Sequence, residues 1–267
     1  MSDNVKWTVP RIRALKGKGK IVSLTAYDFS TARLVDEAGI HLVLVGDSLA
    51  MTMLGYENTL PVTMNEMLLH TAAVARGVKN GLVVADMPFL SYQVSIEQAL
   101  MNAGRFVKEA GADAVKIEGG SSRAPTVRAL VENGIPVLGH IGLLPQSINA
   151  MGGFKVQGKT AEDAQRILDD AKAVEDAGAF AMVLEGLPAA LAGEISAAVS
   201  VPTIGIGAGA NCDGQILVVH DLLGLYGDFK PKFVKRYANL GPEVRKALAE
   251  YRKEVEGGTF PGPEHSY

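Results

Sequence analysis

Four acids occupy equivalent places in this chain. Asp47, Asp86, Glu118 and Glu185 each close a run of mostly apolar residues: HLVLVGD, GLVVAD, DAVKIE and AFAMVLE. A carboxylate at the end of a buried run is costly unless it is hydrogen-bonded, paired or bound to a cation. Several such groups at one mouth repel each other, and a divalent cation resolves the repulsion. All-oxygen ligation suits Mg2+ or Mn2+. The bland alternative for each acid is a helix cap or an ion pair with a basic loop residue; four acids at one structural address favour the site. Lys116 stands two residues before Glu118, so in a strand both side chains share one face. It is a candidate to hold an anionic substrate, to stabilise an enolate or to form a Schiff base, against a structural Lys–Glu pair.

Weaker candidates share the same address. Ser48 follows Asp47 and suits either a substrate carboxylate or an N-cap. His140 closes PVLGH and can hold substrate or move a proton, where the ordinary reading is a structural imidazole. Gly205–Gly209 (GIGAG) is a glycine-rich turn after a strand. It serves phosphate binding, room for a bulky ligand or close backbone packing. Cys212 has no neighbour that would activate a thiolate. His70 falls within a helical pattern and His265 in the tail, so neither is a site candidate.

The elements that must position these residues alternate. Apolar runs of strand length cover Ile21–Tyr27, His41–Asp47, Gly81–Met87, Asp113–Gly119, Ile135–Ile141, Ala179–Gly186, Pro202–Gly207 and Gln215–Asp221. They are near-continuous in apolar residues, as strands buried on both faces are. Helical patterns cover Phe29–Ala38, Thr63–Arg76, Ile96–Ala110, Ser122–Glu132, Ala161–Ala177 and Pro188–Ala198, and a last one Pro242–Val255. Gly39, Gly111 and Gly178 each follow a helix end, as C-terminal caps do. The unit of helix end, glycine, buried strand and terminal acid recurs, which predicts one α/β domain, a (β/α)8 TIM barrel over 21–267, behind a helical N-terminal arm over 1–20. A doubly wound sheet would carry a glycine-rich turn after its first strand, and Ile21–Asp28 has none. The active-site face of such a barrel is the C-terminal end of its strands, where the acids lie.

Composition removes several classes. The chain has 267 residues, 48% hydrophobic and 21% charged, enough for a large core. Its net charge of −3, with Lys16–Lys20 the densest basic stretch, gives no footprint for nucleic acid or a membrane surface. One cysteine makes no intrachain disulfide. Met1–Lys16 has no signal-peptide core and no stretch reads as a membrane span, so the cytoplasm is the expected compartment.

The strings VLVGDS (Val43–Ser48), VADMPF (Val84–Phe89), VKIEGG (Val115–Gly120), PVLGHIG (Pro136–Gly142), Leu144-Pro145-Gln146-Ser147, GIGAG and DGQILVVH (Asp213–His220) together resemble the ketopantoate hydroxymethyltransferase family. The resemblance runs from about residue 20 to the end. It implies a Mg2+-dependent barrel that transfers a hydroxymethyl group from 5,10-methylenetetrahydrofolate to 3-methyl-2-oxobutanoate, giving 2-dehydropantoate in pantothenate biosynthesis. Carried over by motif, Asp47 and Asp86 bind the metal, with Glu118 beside it directly or through water. Asp47, Ser48, Asp86 and Lys116 contact the keto acid, His140 lies at the same mouth, and Glu185 is the catalytic base. The family motif often has Cys or Ser after that Glu; Gly186 stands here. The resemblance also implies a homo-oligomer, a ring-stacked decamer. Two readings compete with it: a Mg2+-dependent carbon–carbon lyase of the phosphoenolpyruvate mutase/isocitrate lyase type, and a catalytically silent barrel serving as a sensor. The first commonly carries a loop cysteine, absent before Cys212; the second would have lost the strand-end acids.

Overall fold

The computed structural model describes residues 6–225 and 231–267. The chain divides into two compact units, the first ending at Val218 and the second beginning at Val219. All of the sheet lies in the first. Its strands are β1 (Ile21–Thr25), β2 (Leu42–Val45), β3 (Leu82–Asp86), β4 (Ala114–Glu118), β5 (Val137–Gly142), β6 (Ala181–Glu185), β7 (Thr203–Ile206) and β8 (Gly214–Leu217). Every neighbouring pair is parallel, and β8 returns to β1, so the sheet closes into the eight-stranded barrel expected. Each strand falls within a predicted run or one residue outside it. The last run is the main difference: Gln215–Asp221 reads as strand, but pairing ends at Leu217 and Val219–Leu223 is helical.

The helices of the first unit follow the apolar stripes. They are α1 (Val9–Arg13), α2 (Phe29–Glu37), α3 (Leu49–Thr52), α4 (Met64–Gly77), α5 (Ile96–Lys108), α6 (Ala124–Glu132), α7 (Ile148–Met151), α8 (Ala161–Asp176) and α9 (Ala189–Ala198). Their starts are capped by polar side chains: Asp28 accepts from the Thr31 N–H, Ser95 from Gln98 and Thr160 from Asp163. Thr63 and Glu66 form a reciprocal capping box at α4. Gly39, Gly111 and Gly178 have φ of +76°, +75° and +99°, the left-handed backbone that ends a helix without a Cβ clash. The second unit contains α10 (Val219–Leu223) and α11 (Leu240–Glu256), the latter two residues longer at its start than predicted and one at its end. No helix among the described residues is long and apolar enough to cross a membrane.

The barrel interior shows why acids end these strands. Alternate residues point inward, and the same row changes character as it climbs. Leu82 and Val84 lead to Asp86, Ala114 leads to Lys116 and Glu118, Leu138 to His140, and Ala181 and Val183 to Glu185. The lower layers form one apolar plug with Leu42, Leu44, Ile204 and Ile216. Ile12 of α1 is fully buried in that plug, with Trp7, Val9 and Leu15 packed against it. The arm thus seals the end of the barrel away from the acids. Of the predicted arm over 1–20, positions 1–5 lie outside the described residues.

One carboxylate holds the outer wall. Asp36 of α2 accepts the backbone N–H groups of Lys79, Asn80 and Gly81 and the Asn80 side-chain amide. Burial alone would raise its pKa, but those four donors outweigh it and hold the carboxyl below its ordinary 3.8. Asp36→Ala strands these donors and is expected to cost about 2–4 kcal/mol in urea unfolding at neutral pH. A depressed carboxylate stabilises above its unfolded pKa and loses that contribution as pH falls below it. The deficit should therefore shrink below pH 3.8; a deficit constant with pH would show that the ionised carboxylate is not its source.

Candidate active site

The polar end of the barrel is a connected cluster. Asp86 and Lys116 are register partners on β3 and β4, and the Lys116 ammonium lies 2.7 and 2.8 Å from the two Asp86 oxygens. Glu118 and His140 are register partners on β4 and β5. Glu118 Oε1 is 3.7 Å from Lys116 Nζ and 3.5 Å from His140 Nδ1. His140 Nε2 lies 3.2 Å from Glu185 Oε2 across to β6. Lys116 and Glu118 thus share one face, as their spacing requires, but the closer partner of Lys116 is Asp86 rather than Glu118. Asp47 lies in the turn after β2, two residues beyond the strand end, and its N–H donates to Asp86 Oδ2 at 3.1 Å. Asp47, Asp86, Lys116, Glu118, His140 and Glu185 therefore form one connected cluster, whereas Ser48 adjoins it only through the chain, as the residue after Asp47. Ser48 occupies the N-cap position of α3 without capping it; its hydroxyl instead bonds the Tyr27 hydroxyl at 2.8 Å.

Electrostatics set the protonation states. Burial, then the charges of Asp86 and Glu118, push the Asp47 carboxyl well above its ordinary 3.8. Burial also raises Asp86, because it outweighs the Lys116 ammonium. Burial disfavours the charge on Lys116, yet Asp86, Glu118 and Asp47 overcome it and raise its pKa. With both Asp86 oxygens within 2.8 Å, Lys116 favours the ammonium form over the free amine that a Schiff base needs. Glu118 is held below its ordinary value: burial opposes ionisation, but the imidazole of His140 and the ammonium of Lys116 prevail. His140 is depressed by burial and by Lys116 but lifted more strongly by Glu118 and Glu185, to about 9. Neither imidazole nitrogen has good hydrogen-bond geometry to its carboxylate, so these are charge contacts. Fully ionised, four carboxylates would exceed one ammonium and one imidazolium by two charges; the upward push on Asp47 and Asp86 reflects that crowding, which a cation would relieve.

Two residues that are not among the sequence candidates complete the cluster, although Gln146 lies in the Leu144–Ser147 string that carries the resemblance. Gln146, in the turn after β5, donates from Nε2 to Asp47 Oδ2 and from its backbone N–H to Glu118 Oε2, both at 3.0 Å. Tyr92, buried in the loop after β3, donates its hydroxyl to Gln146 Oε1 at 2.8 Å. Elsewhere the glycines are structural. Gly142 has φ +95°, and a Cβ there would strike the Glu185 carbonyl, so glycine is what lets β5 close against β6 beside the site. Gly186 takes φ +58° directly after Glu185. A Cβ on Gly205 would lie 2.9 Å from Cys212 Sγ, and one on Gly209 would meet Ala189. Close packing therefore accounts for both glycines. Cys212 is buried, and burial pushes its thiol up. His70 Nδ1 contacts the Tyr27 carbonyl at 2.6 Å and has a structural role. A cavity of about 940 Å3 beside the arm, lined by Trp7, Arg11, Arg33, His41 and Arg76 among others, contains none of the clustered acids.

Among the described residues no three His, Cys, Asp or Glu side chains are drawn together as a ready-made metal cage. Mg2+ does not need one, because it commonly takes one or two carboxylates and completes its octahedron with water and substrate oxygens. The donor set fits. Glu118 Oε1 is buried with no hydrogen-bond partner, Asp47 Oδ1 accepts no hydrogen bond among the described residues, and the crowding of the acids is what a divalent cation would relieve.

Carboxylates and one buried lysine at the C-terminal mouth of a closed parallel barrel define a (β/α)8 protein with a candidate active site at the face where enzymes of this fold have theirs. Among solved structures the chain is similar to 2,3-dimethylmalate lyase, a phosphoenolpyruvate mutase/isocitrate lyase superfamily member, with TM-score 0.62 and 16% identity, covering 96% of this chain and 92% of that one. It is also similar to phosphonopyruvate hydrolase in complex with oxalate and Mg2+, with TM-score 0.63 and 14% identity over 97% and 93% of the two chains. At such identities the likeness is one of fold. The ketopantoate hydroxymethyltransferase family model matches residues 6–263. The 3-methyl-2-oxobutanoate hydroxymethyltransferase of Syntrophobacter fumaroxidans is 61% identical over 97% of this chain and 92% of its own. That of Syntrophus aciditrophicus is 59% identical over 98% and 97%. The chain belongs to the ketopantoate hydroxymethyltransferase family.

Proposed function

We propose that this chain transfers a hydroxymethyl group from 5,10-methylenetetrahydrofolate to 3-methyl-2-oxobutanoate, forming 2-dehydropantoate, with Mg2+ as its cation. Family membership supports the reaction. The observation that carries the site is a buried cluster of acids crowded enough to raise Asp47 and Asp86, in which Glu118 Oε1 has no hydrogen-bond partner. Asp47 and Asp86 would hold the cation, with Glu118 beside it directly or through water. Bound there with the keto acid, the cation supplies Lewis-acid polarisation of the 2-oxo group, which makes the C3 hydrogen acidic.

The remaining steps belong to the protein. Lys116 presents a fixed positive charge to the carboxylate and developing enolate of the substrate. Ser48, whose hydroxyl has capacity beyond its bond to Tyr27, and His140 line the same space. Glu185 removes the C3 proton. One carbon–nitrogen bond of the folate opens to an iminium, C3 bonds to the methylene carbon, and water displaces the second nitrogen and supplies the hydroxyl oxygen. Both carbon–nitrogen bonds are then broken, and the two nitrogens carry away the C3 proton and one proton of water. Incubation with the keto acid, Mg2+ and methylenetetrahydrofolate is expected to yield 2-dehydropantoate. No such product, together with cleavage of a 2-hydroxy diacid, would replace this reading with the lyase type. Asp47→Ala and Asp86→Ala are each expected to weaken Mg2+ binding by at least about 100-fold in calorimetry; unchanged affinity in both excludes them as ligands.

A further inference from the structure

Sequence position gives Gln146 no role, yet its amide is fully committed. It is 4% exposed. The two Nε2 hydrogens go to Asp47 Oδ2 at 3.0 Å and the Met87 carbonyl at 2.9 Å, both pure acceptors in their ionised and peptide forms. Its Oε1 receives the Tyr92 hydroxyl at 2.8 Å and Gln93 Nε2 at 3.2 Å. Reversing the amide would set oxygen against a carboxylate and a carbonyl, so only one orientation satisfies the network. Tyr92 is fixed in turn, because its hydroxyl accepts the Glu118 N–H at 3.0 Å. The backbone N–H of Gln146 occupies Glu118 Oε2 at 3.0 Å.

One residue thus takes one oxygen from each of two acids that are far apart in sequence. What it leaves is Asp47 Oδ1 and Glu118 Oε1, which has charge contacts to Lys116 and His140 but no hydrogen-bond partner. We infer that Gln146 is a positioning residue: by engaging Asp47 Oδ2 and Glu118 Oε2, it decides which carboxylate oxygens are presented to the cation, with Tyr92 holding its amide in register. The inference rests on the metal-site reading above. Without the amide, Asp47 is free to turn about its terminal torsion, and the cation must order a mobile ligand while the acids repel each other unrelieved. Outer partners that orient ligands in this way typically carry about 10–100-fold in metal affinity.

The test is Mg2+ calorimetry on Gln146→Met, Gln146→Glu, Tyr92→Phe, Asp47→Ala and Asp86→Ala, with melting in chelator measured alongside. Gln146→Met is expected to weaken Mg2+ binding about 10–100-fold. Gln146→Glu should weaken it at least as much, since it sets oxygen against Asp47. Tyr92→Phe should act in the same direction and less. The keto-acid KM should rise at limiting Mg2+ while kcat recovers at saturating Mg2+, a split that a loosened fold does not give. Unchanged Mg2+ affinity in Gln146→Met, with binding lost in Asp47→Ala, overturns the inference and leaves the site reading intact. Unchanged affinity in Asp47→Ala and Asp86→Ala alike overturns both. If Gln146→Met does not fold, Tyr92→Phe decides: unchanged Mg2+ affinity there overturns the role of the network.

Discussion

Glu185→Gln is expected to keep 3-methyl-2-oxobutanoate binding and to lose exchange of the C3 hydrogen into deuterated water, with kcat falling by about 10²–10⁴. Glu185 is the acid left available. Both Asp86 oxygens face Lys116, Asp47 is held by Gln146, and Glu118 is held by the Gln146 N–H. Among the described residues Glu185 has one charged side chain in ion-pair range, His140 at 3.2 Å, and its side chain is 18% exposed against 2% for Glu118. It ends β6, four strands around the closed barrel from β2 and the turn that carries Asp47. A base there and a cation at Asp47 and Asp86 would address opposite sides of a bound keto acid. His140 is the rival base, but it lies between two carboxylates that keep it protonated up to about 9, the wrong form to accept a proton. Nuclear magnetic resonance of the keto acid in deuterated water reads the step without the folate. Retained exchange in Glu185→Gln, at parental rate, would assign the base elsewhere.

What the sequence disclosed and what it withheld divide along physical lines. A parallel barrel buries both faces of each strand, so its strands are continuous apolar runs, and a lone acid at the end of such a run stands out. The four acids, Lys116 and the glycine stops after three helices were all legible in this way. Gln146 and Tyr92 were not, because their importance comes from hydrogen bonds across the mouth. Gln146 meets Asp47 across 99 residues of chain, and Tyr92 meets Gln146 across 54. No local periodicity encodes such a contact. The contact of Lys116 with Asp86 was not legible for a related reason. Spacing within one strand placed Glu118 on its face, whereas the closer Asp86 depends on the register of β4 against β3. The last strand was overread because Val218-Val219 continues its apolar run, and composition does not mark where pairing stops.

That register makes Lys116→Met the variant with the largest expected effect on the fold as well as on the chemistry. Its ammonium is 4% exposed and lies within 2.8 Å of both Asp86 oxygens. Removing it leaves Asp86 with the Asp47 N–H at 3.1 Å and a surplus of negative charge around it. Breaking one side of a buried ion pair typically costs about 3–5 kcal/mol, since the stranded charge remains buried. That loss is expected in denaturant unfolding with chelator present. Mg2+ should recover part of it, because a ligand that binds only the folded state adds stability in proportion to its occupancy. The melting shift produced by Mg2+ should therefore be larger in the variant than in the parent. The enolate also loses its fixed counter-charge, so kcat at saturating Mg2+ should fall by about 10²–10³. Lys116→Arg is not expected to rescue either property, because a planar guanidinium does not fit a space shaped for one ammonium between Asp86 and Glu118. Parental stability in chelator together with parental kcat in Lys116→Met would mean that the acids tolerate one another unaided, and the charge argument for a divalent cation would fall with it.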